Sequence, residues 1–158
     1  MSAIDKFCRM TSSDRRLLIG VFLLMTALRV GIACAPWTTV LGMAERLLVA
    51  RPRKHRFQHI DLERITWAVH AASRCIRGAR CLPQALAAYL LLKRRGCTTE
   101  LKIGVIFAKG GLLTAHSWLE RNGTVVFGGL RSLGLYVRLP LDHAEGAGMR
   151  RGHWRAFG

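Results

Sequence analysis

The stretch Arg80–Gly96, RCLPQALAAYLLLKRRG, predicts a buried helix that begins at a cysteine. Apolar residues recur through it at helical spacing, which gives a broad apolar face. Pro83 suits the first turn of a helix because its missing N–H is not needed there. Lys93 and the two arginines after it are positively charged, which stabilises the negative, C-terminal end of a helix dipole. Gly96 is the residue type that commonly follows the last residue of a helix. We therefore expect a core helix with Cys81 at its start.

A thiol in this position is chemically distinctive. The positive end of the helix dipole favours the thiolate and lowers the pKa of Cys81, and Arg80 beside it acts in the same direction. A thiolate at a helix start is the way in which cysteine proteases build their nucleophile, and such a nucleophile needs a base that takes and returns its proton. The prediction therefore requires a histidine that the fold brings to Cys81.

His116 is the candidate for that base. It lies in a predicted strand, 35 residues after Cys81 (116 − 81). Side chains repeat on one face of a strand every two residues, so Trp118 shares the face of His116 and would exclude water from the imidazole. The alternative interpretation is a half-buried strand histidine without a partner, because a cysteine and a histidine at loose spacing are a weak signal.

Hydrophobic periodicity predicts helices before this stretch and strands after it. A start signal at Thr11–Asp14 opens the first helix, and the predicted helices cover the apolar run 17–28 and residues 40–48 and 61–77. The predicted strands are 100–107, 114–120, 124–127 and 133–139, with Asn122-Gly123 as a tight hairpin turn. Helices followed by an antiparallel meander predict an α+β fold, with N-terminal helices and a Cys-bearing core helix packed on a small antiparallel sheet.

The domain organisation follows from the same pattern. We expect a single domain over residues 1–143, with a helical N-terminal part over 1–60, followed by a basic, poorly ordered tail over 144–158. A bilayer span needs about 20 apolar residues, whereas the run 17–28 meets Arg29 after 12 residues. A buried core helix, or one that rests on a membrane surface, is therefore favoured over a spanning helix.

Composition limits the setting and the partners. The 158 residues carry 25 Lys and Arg against 9 Asp and Glu, a formal net charge of +16. This charge indicates an anionic partner such as nucleic acid, a membrane surface or an acidic peptide, or only a preference for arginine. Five cysteines with no C-x-x-C pair predict neither a disulfide framework nor a zinc site. Residues 1–10 lack a signal-peptide pattern, so we expect a reducing, cytoplasmic setting.

The sequence resembles the B2 leader-peptidase family of lasso-peptide biosynthesis, within the transglutaminase-like, papain-related cysteine proteases. The resemblance runs from about Leu17 to Leu139 and is carried by the blocks 80–86 (RCLPQAL), 90–96 (LLLKRRG), 101–105 (LKIGV) and 115–120 (AHSWLE), followed by Gly123. It implies a transglutaminase-like fold with Cys81 as nucleophile and His116 as general base and acid, and no metal or cofactor. Backbone N–H groups at the start of the Cys81 helix would hold the oxyanion.

The resemblance also implies the partners. The substrate would be the leader region of a lasso precursor peptide, and an asparagine-synthetase-like cyclase would then close the macrolactam. Residues 1–60 lack the strand hairpin of a fused leader-binding module, so a separate leader-binding recognition protein is expected. Nucleic acid is not an expected partner, and peripheral contact with the inner face of the membrane stays open.

The sequence departs from the family at the third catalytic position. The family has an aspartate at the end of the strand after the hairpin, to orient the histidine, but here residues 126–129 read VFGG and Gly128 stands in its place. Asp142 lies beyond the next strand and could fold back, and Glu120 shares the face of His116 but is poorly placed to reach its ring. A backbone carbonyl or a water could also orient the imidazole. The third partner therefore stays open at the level of sequence.

Two other functions remain compatible with the sequence. A basic protein that binds membrane or nucleic acid without catalysis would use the net charge and the apolar first helix, but no nucleic-acid-binding motif accompanies them. A transglutaminase-like enzyme would keep the thiol chemistry and transfer the acyl group to an amine. The product distinguishes transfer from hydrolysis.

Overall fold

The computed structural model describes residues 10–48, 59–78, 80–107 and 113–139, which form four α-helices and four β-strands. The helices are α1 (Ser12–Cys34), α2 (Trp37–Leu48), α3 (His59–Ser73) and α4 (Cys81–Arg94). The strands are β1 (Glu100–Phe107), β2 (Leu113–Arg121), β3 (Thr124–Phe127) and β4 (Val137–Leu139), with a short 3₁₀ helix at Leu133–Leu135. The expected α+β class is confirmed.

Helix α4 is the centre of the core and packs against α1, α3 and the sheet. It begins at Cys81, as predicted, and its apolar face is almost completely buried, including Ala85, Leu86, Ala87, Ala88, Leu90 and Leu92. At its end Gly96 adopts a φ of 78°. The Gly96 N–H donates to the Lys93 carbonyl at 2.9 Å and the Cys97 N–H donates to the Leu92 carbonyl at 3.0 Å. These two bonds form a Schellman motif, which caps the C-terminal end of the helix that carries Cys81.

Helix α1 starts where the sequence predicts. The Thr11 side chain accepts a hydrogen bond from the Asp14 N–H at 3.1 Å and so caps the first turn. One face of α1 lies in the core through Val21, Met25 and Leu28. By length and composition alone, α1 is also able to cross a membrane. Its buried face packs against α3 and α4, and whether the helix also contacts a membrane stays a prediction.

The sheet has the order β3-β2-β1-β4, with every neighbouring pair antiparallel. The first three strands form the predicted meander, but the expectation that it would continue into the fourth strand was wrong. Val137 and Leu139 pair with Val105 and Ile103 of β1, so β4 lies at the opposite edge from β3. The predicted strand 133–139 was also too long, because its first half is the 3₁₀ helix.

The third helix was predicted to extend to residue 77 but ends at Ser73. Gly78 then takes a φ of 74°, which favours glycine in the turn that leads to α4. Arg29 of α1 stabilises this turn, because its Nε donates to the Arg77 carbonyl at 2.8 Å. The charge that interrupts the apolar run of α1 therefore holds the segment that leads to Cys81.

Some expectations lie outside the described residues. They concern residues 1–9, Asp142 and the tail over 144–158. The extent of a single domain over 1–143 stays a prediction.

Candidate active site

Cys81 is the first residue of α4 and lies against β2. Its Sγ approaches the Ala115 carbonyl oxygen at 4.0 Å, within donating distance for a thiol. Helix geometry leaves the first N–H groups of α4 without intrahelical partners, and the Arg80 side chain does not cap them. The half-buried thiol therefore faces the open, positively polarised end of a helix.

β2 brings His116 to this thiol. Each of the two side chains shifts the pKa of the other, and the His116 Nε2 lies 2.7 Å from the Gly128 carbonyl oxygen. A carbonyl oxygen only accepts, so Nε2 carries a hydrogen and donates it. Nδ1 is then the ring atom available to the Cys81 thiol. The structure thus brings the two predicted site residues together at one cleft.

The environment favours the charged form of both groups. Burial by itself raises the pKa of the Cys81 thiol, but the hydrogen bonds with His116 and Ser117 outweigh it and lower the pKa below its usual value. The bond to Cys81 raises the pKa of His116 against the opposing effect of burial, and the Gly128 carbonyl adds to the rise. The Ser117 hydroxyl makes no hydrogen bond of normal geometry within the described residues. We therefore attribute the lower thiol pKa to the imidazole and the Ser117 backbone.

Aromatic rings hold the imidazole from the same face of the sheet. The Trp118 ring lies nearly parallel to it, with centroids 6.2 Å apart, and the Tyr136 ring is tilted at 5.8 Å. Trp118 is buried, as the two-residue period of the strand predicted. Its Nε1 donates to the Glu120 Oε1 at 2.8 Å, and Arg138 forms an ion pair with the same carboxylate at 2.9 Å. The indole beside His116 is therefore fixed by a buried acid.

Gly104 has no side chain, and the Trp118 and Tyr136 rings occupy the space beside it. It pairs with His116 across β1 and β2, and a Cβ at this position would lie 2.9 Å from both the Trp118 Cη2 and the Tyr136 Cβ.

We expect Gly104→Ala to push the two rings off the imidazole, to destabilise the fold by about 1–3 kcal/mol and to lower kcat more than it changes KM. Denaturant unfolding and steady-state kinetics measure these effects. Gly134→Ala is the matched control, because a Cβ there meets nothing within 4 Å; equal losses in the two variants would contradict the prediction.

The third partner of the site is the Gly128 carbonyl, one of the options that the sequence left open. It accepts from His116 at the position where the resemblance led us to expect an aspartate. Glu120 does not fill that place, because Trp118 and Arg138 hold its carboxylate. Gly128 has a φ of 74°, and a Cβ there would lie 3.0 Å from the Ser117 carbonyl oxygen. The chain therefore needs glycine here to aim its carbonyl at the imidazole.

We expect Gly128→Ala to displace this carbonyl. The positive φ costs a side-chain-bearing residue about 1–2 kcal/mol, and a shift of the imidazole by a fraction of an ångström lowers kcat by about 10–100-fold. Gly128→Asp, which supplies the missing carboxylate, meets the same obstacles and is expected to be no more active than the alanine variant. Gly129→Ala is the control, because its Cβ would make only an ordinary 3.5 Å contact with Val125. A fully active Gly128→Ala variant would show that the carbonyl does not orient His116.

The thiol and the imidazole open into a cleft of about 240 Å³. Its walls include His70, Gln84, Phe127 and Leu130, and the His70 ring stacks on Phe127 with centroids 5.2 Å apart. Sequence reasoning placed none of these residues in the site. Gln84 had a signal, because it lies one helical turn after Cys81 on the same helix, whereas His70 reaches the cleft only through the packing of α3. A larger groove of about 760 Å³ lies between α2 and the β1 and β4 strands, away from this pair.

The residues at this site are those that thiol chemistry requires. A thiolate–imidazolium pair at a helix start, beside open backbone N–H groups, can attack a carbonyl carbon and return a proton to the leaving group. Among the described residues, no group of three His, Cys, Asp or Glu side chains is placed to hold a metal ion. The fold and the pair of side chains are thus consistent with the class of cysteine–histidine enzymes built on an α+β core.

The chain belongs to the transglutaminase-like superfamily, whose family model matches residues 22–139. The match covers α1 from its third turn, the Cys81 helix, the His116 strand and β4. Members of this superfamily are typically cysteine-based enzymes, in agreement with the class that the site defines. Neither the curated proteins nor the solved structures contain a significant match to the chain.

Proposed function

We propose that this protein is a cysteine endopeptidase that removes the leader from a ribosomally made lasso-peptide precursor. The observation that carries the proposal is the Cys81–His116 pair at the start of α4, with the His116 Nε2 fixed by a carbonyl. Support for the substrate class comes from the resemblance of the Cys81 and His116 blocks to the B2 leader peptidases. The superfamily supports thiol-based acyl chemistry in general.

The proposed reaction proceeds in two steps. The Cys81 thiolate attacks the carbonyl carbon of the scissile peptide bond, and the first N–H groups of α4 stabilise the oxyanion. His116 then gives its Nδ1 proton to the leaving amine, the C–N bond breaks and a thioester remains on Cys81. In the second step His116 takes a proton from water, and the resulting hydroxide displaces the sulfur. The thiolate and imidazolium are restored, and the leader leaves with a free carboxylate.

The proposed partners follow from this reaction. A separate leader-binding recognition protein delivers the precursor, and an asparagine-synthetase-like cyclase uses the new amino terminus of the core peptide. The cleft beside Cys81, about 240 Å³, accommodates only the residues next to the scissile bond. Recognition of the rest of the leader therefore suits a second protein. The free thiols of Cys34 and Cys75 suit a cytoplasmic setting.

Acyl transfer to an amine is the second candidate function. It would use the same thioester, and the buried Trp118 beside the imidazole favours it because water exclusion gives an amine the advantage over water. The two candidates differ only in the nucleophile of the second step.

The decisive experiment uses the full chain with a precursor peptide and its leader-binding protein. In water enriched in ¹⁸O, hydrolysis gives a leader whose new carboxylate carries the label and a core peptide with a free amine. Transfer gives an unlabelled leader joined to an added amine, such as methylamine, and favours the second candidate. An intact precursor after incubation with an amount of enzyme equal to that of the substrate would overturn both.

A further inference from the structure

Helix α1 has an apolar face that the fold leaves uncovered. Ile19, Leu23 and Val30 are 49%, 61% and 57% exposed, and Phe22 is exposed beside them. Their spacing places all four within about 100° of arc on the helix, which is the width of an interfacial stripe. We call these four residues the outer face of α1. On the helix that packs beside its C-terminal end, Leu47 is 81% exposed and Met43 lies one turn before it.

The opposite side of α1 is fixed in the protein. Val21, Met25 and Leu28 are at most 2% exposed and pack with α3 and α4 in the core. A helix that crossed a bilayer would have to withdraw these side chains from the core. The outer face is therefore available only to something that lies alongside the domain.

The lack of free hydrogen-bonding groups on the outer face indicates whether a lipid or a protein covers it. The one polar side chain between these four residues, Thr26, donates to the Phe22 carbonyl at 2.8 Å and so satisfies its hydroxyl within the helix. A protein interface carries about one hydrogen bond per 100–200 Å², whereas this face offers no free donor or acceptor of that kind. Hydrocarbon needs none.

Positive charge flanks the apolar residues. Arg15 and Arg16 precede the outer face, and Arg46 lies beside Leu47; none of the three forms an ion pair with another described residue. The nearby acids are already neutralised, because Asp14 pairs with Arg64 at 2.6 Å and Glu45 pairs with Lys93 at 2.7 Å. With a formal net charge of +16 for the chain, this side is complementary to an anionic surface.

We propose that the outer face of α1 rests in the interface of an anionic lipid bilayer, with the helix parallel to the membrane plane. The apolar side chains enter the boundary between headgroups and acyl chains, and the arginines contact the headgroup phosphates. This role does not depend on the proposed peptidase activity, because Cys81 takes no part in it.

Vesicle flotation tests the proposal with the full chain. We expect binding to phosphatidylglycerol vesicles, at least 10-fold weaker binding to phosphatidylcholine vesicles, and loss of most binding in high salt. Leu23→Glu combined with Val30→Glu is expected to lower binding at least 10-fold. Leu135→Glu is the matched control, because Leu135 is 68% exposed on the 3₁₀ helix and lies outside the outer face.

Several outcomes would overturn the proposal. One is equal binding of the Leu23/Val30 variant and the parent protein, and another is failure of the parent to bind either vesicle. A third is resistance of the bound protein to extraction with alkaline carbonate, which would indicate a spanning helix. Leu23→Ser with Val30→Ser provides a milder variant if the glutamates disturb folding, with circular dichroism as the check. Cys81→Ala should bind vesicles as the parent does, so this test and that of the peptidase can fail separately.

Discussion

Replacing Cys81 with alanine is expected to abolish leader release, with a fall in rate of at least about 10⁴-fold. The thioester cannot form without this sulfur, and no other described thiol is placed to substitute for it. Cys34 and Cys75 lie on the surface, while Cys97 is buried at the far end of α4, where burial raises the pKa of its thiol. The proposed cleavage therefore depends on one thiol, that of Cys81 at the start of α4.

The measurement is single-turnover cleavage of the precursor, followed by mass spectrometry. Cys75→Ala is the control, because it removes an exposed thiol and is expected to leave the rate unchanged. The side chain of Cys81 is only half-buried, so its replacement by alanine is expected to leave the fold intact. Cleavage by Cys81→Ala at the parental rate would refute a nucleophilic role for this residue.

Replacing His116 with alanine is expected to have the second large effect, on both the reaction and the thiol. Burial raises the pKa of Cys81 and the imidazole lowers it, so removal of the imidazole leaves the effect of burial with less opposition. The thiolate fraction at neutral pH then falls, and the pH profile of Cys81 alkylation moves to higher pH. Loss of the general base and acid also lowers cleavage by about 10²–10⁴-fold.

Alkylation by iodoacetamide, measured at Cys81 by peptide mass spectrometry across pH 5–10, separates the two effects. His70→Ala is the control, because its ring lines the same cleft but stacks on Phe127 and makes no hydrogen bond to the thiol. The His70→Ala variant is expected to leave the pH dependence of Cys81 alkylation unchanged. An unchanged profile in His116→Ala would show that the imidazole does not stabilise the thiolate.

Much of the fold could be predicted because local signals agree with the final packing. β1 and β3 have the predicted bounds, and Asn122 and Gly123 both adopt positive φ, as the Asn-Gly signal of a tight hairpin requires. The pairing of β4 with β1 could not be predicted, because a three-residue strand carries no periodic pattern that selects its neighbour. The turn after the early end of the third helix is stabilised by Arg29, a contact between residues far apart in sequence that no local pattern signals.

The site was predictable where side chains carry the function. The predicted helix start identified Cys81, and the two-residue period of the strand placed Trp118 beside His116. His116 itself was identified because a thiolate nucleophile requires a base. The partner of the His116 Nε2 was not predictable as a residue, because every residue has a backbone carbonyl and only the φ of Gly128 aims this one. His70 was missed for a similar reason, since only packing between α3 and β3 places it at the cleft.

A neutral carbonyl beside His116 changes how the imidazole behaves through the catalytic cycle. The largest contribution to the raised pKa of His116 comes from Cys81, and it disappears when the sulfur becomes a thioester. The Gly128 carbonyl remains but carries no charge, so it holds the ring without retaining the imidazolium as an aspartate would. In the proposed reaction the imidazolium therefore gives its proton readily to the leaving amine once the thiolate has attacked, and the acyl-enzyme then has a neutral imidazole ready to activate water.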